Sequence, residues 1–168
     1  FGKQMHAFTT LSKGVASQIK NDFKQAVWKG FHPINTQLLP YISKAESRKK
    51  LGWDQKQTIV LFFGLIRQYK GLELLIKSFS EEVLNNRNTV LKVVGECYEN
   101  KKKYTDLVAQ LGLENKVVFD FEYKSLSAIQ IYFSACDLVA QTYHTATQSG
   151  ITPLAYFYNK PLLVSDIE

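Results

Sequence analysis

The most constraining feature of the sequence is a regular alternation, between residues 58 and 164, of short apolar runs and segments with helical periodicity. Apolar runs of this kind are typical of strands that are buried on both faces of a sheet. The connections between them are too long for hairpins and each carries a helix, so the strands are predicted to be parallel with right-handed crossovers. The pattern therefore predicts an α/β fold with a Rossmann-like, doubly wound parallel sheet. The predicted strands are Thr58–Phe63, Val90–Val94, Lys116–Phe119, Asp137–Ala140 and Pro161–Val164.

Helix signals occupy the connections. After the first strand, apolar residues recur at helical spacing from Leu72 to Phe79. Gly112 is placed to end the helix that follows the second strand, since glycine readily adopts the left-handed C-cap conformation. The remaining predicted helices are Tyr104–Leu111, Ser127–Phe133 and Thr147–Tyr158.

The segment before residue 58 is less regular. A strand at residues 6–11 leads to a helix that Ser12 is placed to cap, and a second short strand follows at residues 27–31. After an irregular stretch, Ser43 and Glu46 form a capping-box pattern for a short helix over Lys44–Leu51. Because the chain opens on Phe1 and stops just after its last strand-like run, we expect it to be a piece of a larger protein, truncated at both ends.

The charge balance is basic, with 21 Lys and Arg against 15 Asp and Glu, a net charge of +6. Such a balance suits nucleic acid, an anionic membrane surface or a phosphorylated small molecule. The densest basic run, residues 101–103, lies at the start of a predicted helix and favours a solvated face over a polyanion patch. Most aromatic residues fall on core periodicity, so no nucleic-acid partner is expected.

The two cysteines, Cys97 and Cys136, lie far apart in apolar stretches and fit no zinc spacing. Buried free thiols suit a reducing cytoplasm. No signal peptide is recognisable, and the apolar runs are far shorter than the ~20 residues of a membrane span. No metal-ligand cluster is visible, and neither a metal nor another cofactor is expected.

Two loops are candidates for ligand binding, because ligands of doubly wound sheets lie beyond the carboxyl ends of the strands. In the first, Gly64 allows close approach of backbone to a ligand, and Arg67 and Lys70 lie near a helix N-terminus. Two cations there suit a diphosphate, although two solvated side chains in a surface loop are an equally plausible interpretation.

The second candidate loop, residues 143–151, follows the fourth predicted strand and is rich in small and hydroxyl residues. Free backbone N–H groups in such a loop can bind phosphate, and a threonine-capped helix without a ligand is the alternative. His144 is placed to face the crevice, either as a ligand contact or as a plain loop histidine.

Together these segments resemble the C-terminal, donor-binding domain of family-4, retaining glycosyltransferases of the GT-B fold. The resemblance covers about residues 50–168, and residues 6–35 resemble the end of the N-terminal domain of such enzymes. It divides the chain into residues 1–38, the end of an N-terminal domain with a linker, and residues 39–168, an incomplete nucleotide-sugar-binding domain. Its motifs are Phe62-Phe63-Gly64 with Arg67-x-x-Lys70-Gly71-Leu72, Val93-Val94-Gly95-Glu96, Phe133 to Val139, Gln148-Ser149-Gly150-Ile151 and Lys160 to Ser165.

The resemblance implies a role for each matching residue. Arg67 and Lys70 would neutralise the donor diphosphate as the catalytic pair. The amides of residues 149–151 would hold phosphate, and Tyr123 would contact the nucleobase. The other residues that the resemblance places at the donor are Gly64, Gly95, Glu96, His144, Thr147, Gln148, Ser149, Gly150 and Ile151.

One departure from the family pattern affects the sugar and ribose contacts. The family carries two glutamates with seven residues between them around the last helix, and here Thr147 and Ala155 take their places. Gln148 is adjacent and polar, and could take over part of the sugar contact.

The resemblance therefore implies transfer of a hexose from a nucleotide diphosphate sugar to a glycan, lipid-linked or polysaccharide acceptor. The acceptor would bind through the N-terminal domain, and the enzyme would work in the bacterial cytoplasm, where peripheral association with the inner face of the membrane is one option. The alternatives are a degenerate, non-catalytic nucleotide-binding or interaction module of the same fold and a sugar-nucleotide epimerase.

Overall fold

The computed structural model describes residues 4–81 and 88–167. Residues 1–3, 82–87 and 168 lie outside the described residues, although the predicted division into residues 1–38 and 39–168 includes them. The strands are β1 Ala7–Thr10, β2 Ala26–Lys29, β3 Thr58–Phe63, β4 Thr89–Val94, β5 Val117–Asp120, β6 Leu138–Gln141 and β7 Leu162–Val164. The described helices are α1 Lys13–Asp22, α2 Lys44–Leu51, α3 Leu72–Ser78, α4 Lys101–Gln110, α5 Leu126–Ala135 and α6 Ile151–Phe157.

Five of the strands form a parallel sheet in the order β5-β4-β3-β6-β7. The centre of the sheet is β3, which pairs with β4 from Thr58–Thr89 to Phe63–Val94 and with β6 at Val60–Leu138. The order reverses at β3, so the strand ends of β3 and β6 border a crevice of the kind that binds ligands in doubly wound sheets. The predicted parallel, Rossmann-like sheet is confirmed.

Each face of the sheet is covered by helices, which explains why β3 and β4 are almost entirely apolar. On one face, α3 and α4 pack against alternate strand residues, with Leu72, Ile76 and Tyr104 fully buried. On the other face α5 and α6 do the same, through Phe133 and Ala155. Alternate strand residues therefore point into two apolar layers.

A buried charge pair joins α2 to the sheet. The side chain of Arg48 is 1% exposed and donates a 2.6 Å hydrogen bond to Asp137 Oδ2. The same carboxylate oxygen accepts from the Ile59 backbone N–H at 2.6 Å, and Arg48 also donates to the carbonyl oxygens of Ala135 and Gln57. Although burial by itself would raise it, hydrogen bonds from the Ile59 N–H and the Lys44 ammonium, together with the charge of Arg48, hold the pKa of Asp137 below its ordinary value.

The N-terminal segment forms a separate parallel pair, β1 and β2, connected by α1. The predicted cap is confirmed, because Ser12 Oγ accepts from the Val15 N–H at 3.4 Å. The division of the chain near residue 38 into two domains stays a prediction.

Two predicted capping residues are confirmed, and two predicted helix starts shift. Ser43 caps α2 as predicted, and Gly112 has the left-handed φ of 64° expected of a helix-ending glycine. By contrast, α4 begins at Lys101 and not at Tyr104, because the side chain of Asn100 caps it. The helix predicted from Thr147 begins at Ile151, so the segment before it is loop.

Candidate functional site

A cavity of about 450 Å³ lies at the carboxyl ends of β3, β4, β5 and β6. We call it the strand-end cavity. It combines an apolar wall from α5 and α6 with polar groups from the loops that follow the strands, an arrangement typical of small-molecule sites. Its lining residues are Phe63, Gly64, Leu65, Tyr69, Lys70, Gly95, Glu96, Tyr123, Lys124, Ile129, Tyr143, Gln148, Ser149, Gly150, Ile151 and Leu154.

Two glycines shape the floor of this cavity. Gly64 and Gly95 have φ angles of 98° and 135°, conformations that L side chains rarely adopt. A Cβ atom on Gly95 would lie 2.2 Å from the Gly64 carbonyl oxygen, so no larger residue fits without a shift of backbone. The loops after β3 and β4 therefore pack directly against each other.

Two lysines, Lys124 and Lys70, line the strand-end cavity. Lys124 is paired with Asp120, so Lys70 is the cation there without an ion-pair partner among the described residues. It ends a 3₁₀ turn over Gln68–Lys70, and the residue is only 7% exposed. Its Nζ lies 3.3 Å from the position a Cβ atom would take on Gly64 and 5.7 Å from the ring centroid of Tyr143. Within residues 4–81 and 88–167, no carboxylate oxygen lies within 4.0 Å of this ammonium.

Burial, followed by the charge of Arg67, lowers the pKa of Lys70 to about 8. The Lys70 ammonium has lost hydration and has no anionic partner among the described residues. Such a site favours an anion, because the anion would replace the lost solvation.

Arg67 lies outside the set of residues that line the cavity. Its side chain is exposed, and its guanidinium carbon lies 4.5 Å from the ring centroid of Tyr98. Tyr98 in turn donates a 3.1 Å hydrogen bond to Glu96, which does line the cavity. That hydrogen bond to the carboxylate raises the pKa of Tyr98.

The loop after β6 is fastened to the turn that carries Lys70. Thr142 Oγ1 donates to the Gly71 carbonyl oxygen at 3.0 Å, and the His144 N–H donates to the Tyr69 carbonyl oxygen at 2.7 Å. A Cβ atom on Gly71, which has a φ of 65°, would lie 1.8 Å from the Thr142 carbonyl oxygen. The close approach of the two loops therefore requires glycine at position 71.

Ser149 organises the remainder of the second loop. Its Oγ accepts from Gln141 Nε2 at 3.0 Å and from the Ile151 N–H at 3.2 Å, and it lies 3.0 Å from the hydroxyl oxygen of Tyr143. Thr152 donates to the amide oxygen of the same Gln141. The serine hydroxyl is therefore occupied within the protein.

The fold brings most of the sequence-predicted residues together. The members that line the strand-end cavity are Gly64, Lys70, Gly95, Glu96, Tyr123, Gln148, Ser149, Gly150 and Ile151. Arg67, His144 and Thr147 do not line it. His144 lines a cavity of about 310 Å³ on the other side of Gly71, and Thr147 lines one of about 290 Å³ beside Ser165.

Sequence reasoning missed several lining residues, of which Tyr69, Lys124 and Tyr143 have polar groups. Lys124 directly follows the predicted Tyr123 and forms a 2.5 Å ion pair with Asp120 at the end of β5. Although burial by itself would raise it, hydrogen bonds from Lys124 and Tyr132 hold the pKa of Asp120 below its ordinary value. The position of Lys124 just beyond a strand end was the one signal available in the sequence.

A larger cavity, of about 640 Å³, lies beside the edge strand β5. Trp53, Lys92, Val118 and Phe121 are among its lining residues. It is larger than the strand-end cavity and reaches the carboxyl ends of two strands, at Val94 and Asp120, but it also extends along the sheet to Lys92. We assign the candidate site to the strand-end cavity, because the loops after four strands, β3, β4, β5 and β6, converge there.

The chain is similar to known proteins in sequence and in structure. Residues 43–168 match the family described as glycosyl transferases group 1. An uncharacterized glycosyltransferase of Methanocaldococcus jannaschii is 26% identical over 117 residues, which cover 66% of this chain and 30% of that protein. The chain thus spans less than a third of the length of that relative.

Two solved structures share the fold. The Anabaena protein HepE, determined in complex with UDP-glucose, has a TM-score of 0.79 and 19% identity, over 95% of this chain and 44% of that one. The C-terminal domain of the group 1 glycosyltransferase LpcC of Francisella tularensis has a TM-score of 0.66 and 19% identity, over 79% of this chain and 70% of that one.

The parallel sheet with its crevice at β3, the matched residues and the shared fold agree with one another. The chain belongs to the group 1 family of glycosyltransferases and has the Rossmann-like architecture of a GT-B C-terminal domain.

Proposed function

We propose that this chain binds the donor of a hexosyltransferase, a nucleotide diphosphate sugar, in the strand-end cavity. The observation that carries the proposal is the buried Lys70 ammonium, which faces the glycine turn at Gly64 with no carboxylate within 4.0 Å among the described residues. The group 1 family membership and the UDP-glucose complex of the structurally similar HepE support a nucleotide sugar as the anion.

The proposed chemistry follows from the leaving group. As the glycosidic bond of the donor breaks, negative charge builds on the nucleoside diphosphate, and a fixed cation stabilises the transition state more than the ground state. Lys70 supplies that cation in a water-poor site, where electrostatic interactions are stronger than in water. Arg67 lies nearby on the exposed side and would add to the field.

The same proposal covers the ligand-contacting residues. Tyr123 is 78% exposed and lines the cavity, so its ring is free to pack against a nucleobase. Glu96 and Gln148 provide acceptors and donors for hydroxyl groups of ribose or hexose. The diphosphate is neutralised by protein cations, and neither a metal nor another cofactor enters the proposal.

The remaining features of the reaction are also proposed. The acceptor, a glycan, lipid-linked or polysaccharide chain, would bind through an N-terminal domain. Transfer would retain the anomeric configuration, as the resemblance to retaining enzymes implies. This chain by itself would bind donor with little or no turnover, since full activity would need interdomain closure.

We place the enzyme in a bacterial cytoplasm, at the inner face of the membrane. The two cysteines are free, and burial raises the pKa of the Cys136 thiol to about 12, so it stays an unreactive thiol at neutral pH. No helix among the described residues is long and apolar enough to span a membrane. Co-sedimentation of the chain with anionic but not neutral liposomes would support membrane association through the net charge of +6.

A second candidate, a non-catalytic nucleotide-binding module, is favoured by one observation. Where the family carries two glutamates, Ala155 is fully buried and Thr147 lines a different cavity. Glu96 is the one carboxylate among the residues that line the strand-end cavity. Transfer of a hexose by the full-length protein, lost on Lys70→Ala, would exclude the module.

Calorimetric titration of the chain with UDP and with GDP tests donor binding. We expect saturable binding to one of them and at least a tenfold loss of affinity in Lys70→Ala, because a hydrogen-bonded interaction with a charged group contributes about 1.5–3 kcal/mol. Lys56→Ala is the matched control, since it removes the same charge from an exposed position before β3. Binding to neither nucleotide, or equal losses in both variants, would contradict the proposal.

A further inference from the structure

Tyr143 is the least exposed tyrosine among the residues that line the strand-end cavity, at 6%. Its carbonyl oxygen accepts from Ser165 Oγ, which fixes the backbone, and its ring makes an edge-to-face contact with Tyr69 at 5.9 Å. Nothing in the sequence motifs assigns it a role.

The other hydrogen bonds of Ser149 determine whether the Tyr143 hydroxyl donates or accepts in the bond between the two. A serine hydroxyl has two acceptor lone pairs and one proton. With the Gln141 amide in the orientation that the structure gives, its oxygen accepting from Thr152, both lone pairs are used, by Gln141 Nε2 at 3.0 Å and by the Ile151 N–H at 3.2 Å. The serine proton is therefore left for the Tyr143 oxygen, 3.0 Å away, and Tyr143 is the acceptor of that bond.

The proton of Tyr143 is then free to donate elsewhere. Within the part of the chain that the structure describes, Ser149 is the one hydrogen-bond partner of this hydroxyl. Burial raises the pKa of Tyr143, so the hydroxyl keeps its proton at neutral pH. The phenol is thus a donor without an acceptor among the described residues.

Two open spaces border Tyr143. The strand-end cavity contains the Lys70 ammonium, 5.7 Å from the tyrosine ring centroid. The smaller cavity of about 290 Å³ has no charged side chain among its described lining residues. An anionic acceptor fits the side that Lys70 occupies.

We propose, on the basis of the function proposed above, that the Tyr143 hydroxyl donates a hydrogen bond to a phosphoryl oxygen of the donor diphosphate, and that Ser149 is the positioning residue that turns it there. Lys70 and Tyr143 would then bind the diphosphate jointly, one with a charge and the other with a directed donor. The tyrosine supplies a polar contact in a cavity that lacks the two glutamates of the resembled family.

Titration of the chain with UDP and GDP, and with uridine and guanosine, tests this inference. Tyr143→Phe is expected to weaken binding of the diphosphate about tenfold and to leave the uncharged nucleoside unaffected, because the lost bond goes to a charged oxygen. Tyr156→Phe is the matched control, since Tyr156 is 66% exposed and does not line the cavity. Its affinities should remain within twofold of the unaltered chain.

Ser149 provides a second, independent variant. Ser149→Ala is expected to weaken the diphosphate several-fold because the phenol loses its orientation, and Ser149→Thr should restore affinity because it keeps a hydroxyl. A chain that binds the diphosphate equally well with Tyr143→Phe and with Ser149→Ala would overturn the inference and leave the proposed function intact. An unaltered chain that binds neither nucleotide would overturn both.

Discussion

The loops after β3 and β6 border the same cavity but contribute different chemistry. Residues 64–71 supply charge, through the buried Lys70 and the exposed Arg67. Residues 142–150 supply neutral hydroxyl, amide and backbone groups, most of them already bonded to one another around Ser149. In the proposed complex, the charge of the first loop would contribute most of the affinity for the diphosphate, and the hydroxyl groups of the second loop would position its oxygens.

The junction between the two loops is the first place to test this comparison. Gly71→Ala would put a Cβ atom 1.8 Å from the Thr142 carbonyl oxygen at a φ of 65°. We expect the free energy of unfolding to fall by about 4 kcal/mol, from backbone strain and the clash together. Chemical denaturation of the variant measures it.

The matched control for that change is Gly112→Ala. Gly112 has nearly the same φ, 64°, and nothing within 4 Å of the added Cβ. It should cost about 1 kcal/mol, the intrinsic penalty of the left-handed conformation. Equal losses in the two variants would show that the contact between the loops has no energetic importance.

The charge of the first loop predicts a pH dependence that the second loop lacks. Since burial lowers the pKa of Lys70 to about 8, the ammonium loses its proton as the pH rises through that value. The affinity for the diphosphate should fall by up to roughly tenfold for each pH unit above the pKa. Titrations between about pH 7 and pH 9.5 test this, because the phosphate itself does not titrate in that range.

Lys70→Arg is the control for the pH prediction, because arginine stays protonated throughout the range. Its affinity should change little with pH. A constant affinity of the unaltered chain up to the highest pH would contradict a role for the Lys70 charge.

Within the first loop, Arg67 should matter less than Lys70. It is solvent-exposed and stacks on Tyr98, and exposed ion pairs contribute about 0.2–1 kcal/mol. Arg67→Ala is therefore expected to weaken the diphosphate roughly threefold at physiological salt, and less at higher salt. A loss as large as that of Lys70→Ala would mean that Arg67 leaves Tyr98 and enters the cavity when the ligand binds.

The smallest effect is expected in the second loop, at Thr147. Thr147→Glu restores a carboxylate where the resembled family has one, but the residue lines the neighbouring cavity and not the strand-end cavity. The affinity for UDP or GDP should remain within about twofold, since the new charge lies in solvent that screens it. A gain in affinity for the nucleotide sugar over the nucleotide would show instead that the hexose reaches this cavity.

The sequence predicted only part of the lining of the candidate site. Gly64, Lys70 and Gly95 were predictable because they follow apolar runs directly, and the end of a strand fixes where the next residues lie. Arg67, His144 and Thr147 were predicted with them but line other surfaces, since a loop residue's direction depends on what packs beneath it. Tyr143 was not predicted as a ligand contact, because a tyrosine after a strand has no distinctive local signal.

By itself, the sequence determined the parallel sheet. Period and apolar content fix the strands, and β3 was predicted at the bounds the structure gives, Thr58–Phe63. Tertiary structure alone decided the start of α6 at Ile151, because Ser149 bonds to Gln141 and Tyr143 in place of a helix that begins at Thr147. Local patterns encode which segments are strands and helices, whereas the direction of a loop side chain depends on partners that are distant in sequence.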